Sequence, residues 1–128
     1  MKDIARRHTY FGLVLLLIGM CLGIYMGITG NHALAGAHAH INLIGMVLSL
    51  LYATVLRLWV PDGSPTMLAR AQLGTHQVGT VFFTVCLFLM FSGKAWPLIL
   101  VPGLLIGAVL IFSAAVMMLV IFHRATQH

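Results

Sequence analysis

Long apolar runs separated by short polar breaks dominate this chain: Tyr10 to Thr29, His38 to Val60, Leu73 to Phe91 and Trp96 to Phe122. Each run can cross a hydrocarbon core of about 30 Å, which takes roughly 20 helical residues. Lone strands leave their backbones unsatisfied in lipid, whereas helices do not. The pattern therefore predicts an all-α, four-helix transmembrane bundle in one integral membrane domain over residues 1–128. The breaks carry turn chemistry. Gly30 to Gly36 makes one turn, Pro61-Asp62-Gly63-Ser64-Pro65 another, and Ser92 to Ala95 a third. Thr66 to Gln72 reads as a short surface segment or as the opening of the third helix. Pro97 suits the first turn of the fourth helix, and Pro102 is early enough to cost only a modest bend.

Within the first helix, Gly19, Gly23 and Gly27 recur every four residues and leave one face without side chains. Such stripes let helices approach closely in lipid, and the same smooth face also gives room to a flat cofactor. Gly103 and Gly107 lighten a face of the fourth helix. The first span has no cleavage-like segment behind it, so it reads as a permanent helix rather than a removable signal.

Composition agrees with a membrane setting. The chain is 61% apolar and has seven Lys and Arg against two Asp and Glu, far below the roughly 25% charged residues of a soluble domain. Lys2, Arg6, Arg7, Arg57, Arg70 and Arg124 collect on one side of the threading, and only Lys94 on the other. The excess of Lys and Arg marks the inner side, so both termini are expected in the cytoplasm, with a bacterial inner membrane as the expected location. The net charge of +5 then reads as topology and contact with anionic membrane lipid, not as a nucleic-acid footprint. Cys21 and Cys86 lie inside spans without a redox spacing and read as small buried apolar residues. The span methionines read as core filler.

The chemistry concentrates at His38-Ala39-His40, just inside the second span. Ionisable side chains at membrane depth pair or bind something. Helical neighbours two apart point about 200° from each other, so the two imidazoles serve two sites, or one site built from two copies of the chain. Asn42 is one turn beyond His38 and is expected to hydrogen-bond the ring nitrogen of His38 that does not ligate. A metal held without porphyrin is the weaker reading, since no carboxylate or cysteine stands nearby. His8 reads as an interfacial histidine, or more sharply as a ligand or propionate partner. His76 falls at the opposite membrane face from the pair and reads as a structural hydrogen-bonder or, less favoured, as part of a second, inner-side site.

The run Gly36-Ala37-His38-Ala39-His40-Ile41-Asn42-Leu43-Ile44-Gly45 resembles the haem-bearing helix of the catalytic subunit of haem-copper oxidases and nitric oxide reductases, and more closely their small subunit I-like relatives. That resemblance implies that the chain matches one of the three four-helix arcs of the large subunit, with haems in pores between arcs. By position, His38 corresponds to the ligand of the high-spin haem and His40 to that of the low-spin haem. Three copies would then rebuild the large subunit as a homotrimer, each boundary receiving His38 from one protomer and His40 from the next. Departures from the family argue against oxygen chemistry. Only His76 follows where the copper centre needs more histidines, the cross-linked tyrosine has no counterpart, and Asp3 and Asp62 both lie outside the core.

The expectation is a b-type haem protein of the membrane, with haem b held by His38 and His40 and with Asn42 in support. Its role would be electron transfer with a redox partner, or binding or sensing of a small gas. The alternatives are a non-haem accessory or structural subunit of a membrane complex and, less favoured, a small oxidase or nitric oxide reductase-like enzyme.

Overall fold

Helix α1 runs from Lys2 to Thr29 in the computed structural model, which describes residues 1–93 and 96–127. Asp3 stands in its first turn, where a negative charge suits the positive end of the helix dipole. It stops at Gly30, whose φ of 65° is left-handed and lets its N–H reach the Met26 carbonyl at 2.9 Å. Helix α2 spans Ala35–Leu58, α3 Met67–Phe91 and α4 Pro97–Thr126. All four are long and apolar enough to cross a membrane. The chain is an integral membrane protein of helices, with no strand among the described residues.

Three of the helices extend past the apolar runs at the end that carries the termini. α1 takes in the basic lead-in from Lys2, α3 starts at Met67 rather than Leu73, and α4 continues to Thr126. The extensions hold because Ile4, Ala5, Ala69, Leu73, Met118 and Ile121 join Tyr52, Ala53 and Leu56 in one apolar cluster. Lys2 meets Asp62 at 3.3 Å and Arg6 meets Asp3 at 3.2 Å, both pairs exposed. Such surface pairs contribute little stability. At the opposite end, Lys94 and Ala95 lie outside the described residues, as does His128 at the C-terminus.

α1 packs along α2, and α3 along α4, while α2 also lies against α3, α1 touches α3 and α2 touches α4; among the described residues α1 and α4 do not approach one another. The bundle is thus staggered and left open between α1 and α4. Glycines set the tight contacts. A Cβ on Gly79 would stand 3.2 Å from the Gly107 carbonyl, and one on Gly107 would stand 2.9 Å from the Phe83 amide, so α3 and α4 meet backbone to backbone. On α1, Gly19 and Gly23 receive α2 side chains, whereas Gly27 has nothing within 4 Å. The close-packing stripe is therefore real over two of its three glycines. Leu17, Ile24 and Ile28 on α1 and Leu98, Ile99 and Phe112 on α4 face outward, as lipid-facing residues should.

One feature of α2 is absent from the periodicity. Immediately after His40 the helix widens into a π-helical stretch over Ile41–Val47, ending with the Leu48 N–H on the Leu43 carbonyl. Wide turns of this kind occur frequently at functional sites. Pro102 lies inside α4 in its second turn, and the helix continues through it.

Candidate functional site

His38 and His40 sit on the last turn before the π-helical stretch, and their rings diverge. The Nδ1–H of His38 donates to the Gly19 carbonyl of α1 at 2.8 Å. The imidazole fits there because Gly23 has no side chain: a Cβ at that position would lie 3.1 Å from His38 Cε1. The Nδ1–H of His40 donates instead to the Gly36 carbonyl one turn earlier, also at 2.8 Å. Its ring lies toward α3, with its centroid 5.6 Å from that of Phe83. One histidine therefore addresses α1 and the other α3.

The partners fix the tautomers. A carbonyl oxygen only accepts, so in the neutral ring both Nδ1 atoms carry the proton and both Nε2 atoms carry a lone pair. Ligating histidines are commonly held this way, with the second ring nitrogen tied to a carbonyl. Nε2 of His40 has no hydrogen-bond partner among the described residues and is not buried. Both histidines are half-buried.

Asn42 stands beside the His38 ring, as its one-turn spacing suggests, but it is not the nearest partner of that ring. Its Nδ2 donates to the His38 backbone carbonyl at 3.1 Å and stands 3.4 Å from each ring nitrogen, long for a hydrogen bond. The backbone of α1 orients the ring, and no residue type at position 19 announces a carbonyl as the partner. A groove of about 380 Å³ at this end is lined by Leu22, Tyr25, Leu34 and Phe88 among others, and by neither histidine.

Nearer the termini lies a second polar group, which composition reads as scattered single residues. His8, Ser49, Gln72, His76 and Thr80 are 0% exposed, and Tyr52 is 4% exposed. His8 is therefore no interfacial histidine; it points into the interior and meets Gln72 Oε1 through Nε2 at 2.9 Å. His76 Nε2 and Ser49 Oγ are 2.9 Å apart. The ring centroids of His8 and His76 are 5.6 Å apart, those of Tyr52 and His76 5.0 Å, and those of His8 and Tyr52 5.6 Å. Room for this group comes from Gly12, where a Cβ would stand 3.1 Å from Ser49 Cβ. His76 thus makes the expected structural bond to a neighbouring helix.

A sequence signal for this group existed. Gln72, His76, Thr80 and Thr84 repeat every four residues on one face of α3, and Ser49 and Tyr52 lie one turn apart on α2. Leaving a buried polar atom unpaired costs about 1–3 kcal/mol, so a repeated polar stripe inside an apolar helix implies partners. Cys21 is exposed on the bundle's flank, contrary to expectation, and Cys86 is buried as expected. Among the described residues no three His, Cys, Asp or Glu side chains gather as a metal cage. Comparison of the chain with protein-family models, with curated proteins and with solved structures finds no match.

Proposed function

We propose that this chain is a b-type haem-binding membrane protein in which His38 and His40 provide axial nitrogens to haem b at boundaries between copies of the chain. The observation that carries the reading is the pair of Nδ1–H bonds to backbone carbonyls, which leaves Nε2 of each ring as the nitrogen with a lone pair. Haem iron takes such a nitrogen as an axial ligand. The donor chemistry fits the group. Bound haem would supply one-electron transfer or, with one axial position open, binding of a small gas.

The chain's own residues have definite tasks in this reading. Gly19 and Gly36 hold the rings in orientation through their carbonyls, and Gly23 leaves the space His38 needs. The two directions are opposed, so one porphyrin cannot take both ligands from one helix. The open side of the bundle, with α1 and α4 apart among the described residues, is compatible with an arc that neighbours complete. With the resemblance to haem-copper oxidases, this favours a homotrimer in which three equivalent boundaries each take His38 from one copy and His40 from the next. The charge distribution favours cytoplasmic termini in a bacterial inner membrane, with Arg57 and Arg70 at the lipid headgroups.

An absorption spectrum of detergent-purified protein, oxidised and dithionite-reduced, together with a pyridine haemochrome assay, tests the proposal. The expected result is a Soret band with split reduced bands. A colourless protein after haem-supplemented expression would overturn it.

A further inference from the structure

We propose that His8, Tyr52, Gln72, His76 and Thr80 enclose an internal water-binding site between α1, α2 and α3, independent of any haem at the other end. Each of these side chains is at least nine-tenths buried, and each has one polar atom without a protein partner: His8 Nδ1, Tyr52 Oη, Gln72 Nε2, His76 Nδ1 and Thr80 Oγ1. Polar groups at such depth are completed by hydrogen bonds, including those to ordered water.

The identity of the occupant follows from donor and acceptor arithmetic. With Gln72 Oε1 facing His8, Nε2 of His8 donates, leaving His8 Nδ1 as an acceptor and the Gln72 amide nitrogen as a donor. Turning the amide over reverses both roles, and one donor and one acceptor still remain. His76 is similar: its Nδ1 accepts if Nε2 donates to Ser49, and donates if the Ser49 hydroxyl donates to Nε2. Tyr52 and Thr80 hydroxyls do either. A cation completes only acceptors, and an anion only donors. Water does both, and at about three hydrogen bonds per molecule the five leftover atoms call for about two waters.

The site has limits along the bundle. Gln72 and Thr80 are eight positions apart, about 12 Å of helix. One turn further, the Thr84 hydroxyl turns back onto the Thr80 carbonyl at 2.7 Å, which closes the polar stripe. Toward the termini, a polar cavity of about 460 Å³ includes Ile4 and Leu73 in its lining. Ile4 is one turn before His8 and Leu73 adjoins Gln72, so solvent approaches to within one layer of side chains. The water site gives three helices a shared hydrogen-bonded centre in an otherwise apolar layer.

X-ray radiolytic footprinting of the full-length protein in detergent, read by mass spectrometry, tests the proposal with water itself as the probe. Radicals form where water is bound, so Tyr52 and His76 should be modified several-fold faster than Met118. Met118 is as buried, at 5% exposed, and shares the apolar cluster with Tyr52, but it lies on α4, which contributes no residue to the site. Metal analysis and denaturing mass spectrometry of the same sample provide the second readout, which should find no stoichiometric ion or small molecule that disappears in His8→Leu. Tyr52 and His76 as silent as Met118 would mean a dry core and would overturn the site. So would a stoichiometric metal or organic ligand lost in His8→Leu.

Discussion

The chain carries histidines at both ends of its bundle, and the two ends use them in opposite ways. His8 and His76 are fully buried and bonded to side chains on other helices, Gln72 and Ser49. His38 and His40 are half-buried and bonded to backbone carbonyls, Gly19 and Gly36. A side-chain partner ties a histidine to the packing of the helices, and both lose if either is removed. A carbonyl partner fixes only the tautomer and ring direction, and leaves Nε2 its lone pair. Burial and partner type thus separate an interior group tied by side chains from a pair held by backbone carbonyls in the same protein.

The sharpest way to break this contrast is to exchange the fates of the two ends. His38→Ala and His40→Ala should each abolish the bis-histidine haem spectrum, while His76→Ala should keep it. Reduced-minus-oxidised difference spectra of the three purified variants decide the point. Loss of the Soret band in His76→Ala alone would reverse the assignment.

Stability should respond in the opposite order. Gln72→Leu leaves buried His8 without its partner and should cost about 1–3 kcal/mol, read by SDS titration of the protein in mixed micelles. The double variant His8→Leu/Gln72→Leu should cost clearly less than the sum of the two single ones, because no lone polar partner remains. An additive result would mean that the bond does not couple α1 to α3.

Glycine substitutions sharpen the comparison along α1 itself. A Cβ on Gly19 would overlap the Asn42 amide, whereas one on Gly27 meets nothing within 4 Å. Gly19→Ala should therefore cost about 1–3 kcal/mol through overpacking and lower haem content by pushing Asn42 against the His38 ring beside it. Gly27→Ala should gain up to about 1 kcal/mol from helix propensity. Thermal unfolding followed by circular dichroism separates the two, and equal effects would remove the special role of the Gly19–Gly23 slot.

The four spans were legible because each is a single long apolar run, and the divergence of His38 and His40 because the helical period dictates it. The extension of α1 to Lys2 was not. Lys2 to Thr9 has no apolar run, and its helix is held by Ile4 and Ala5 packing on residues far along the chain. The role of His8 was hidden for the same reason, since its partner Gln72 lies 64 positions away. One-turn spacing placed Asn42 beside His38 but did not show that a carbonyl of α1 is the nearer acceptor. The π-helical stretch after His40 leaves the apolar spacing of α2 intact, so no pattern of side chains reveals it.

The faintest signal expected is also the one that tests whether His38 and His40 act as proposed, between chains. Since His38 addresses α1 and His40 addresses α3, a boundary site needs His38 from one copy and His40 from another. Neither His38→Ala nor His40→Ala protomers alone can supply both. Mixed in equal amounts in a closed ring, a boundary is intact only where a His40→Ala copy offers His38 to a His38→Ala neighbour, which is about one quarter of boundaries under random mixing. Co-expression with two affinity tags and tandem purification isolates the mixed rings, whose Soret absorbance per protomer is then compared with the wild type. Recovery of bis-histidine haem in the mixed rings, and in neither single variant, is the expected result. If native mass spectrometry instead finds a monomer that retains a bis-histidine haem, the two ligands come from helices of one bundle and the boundary site is wrong.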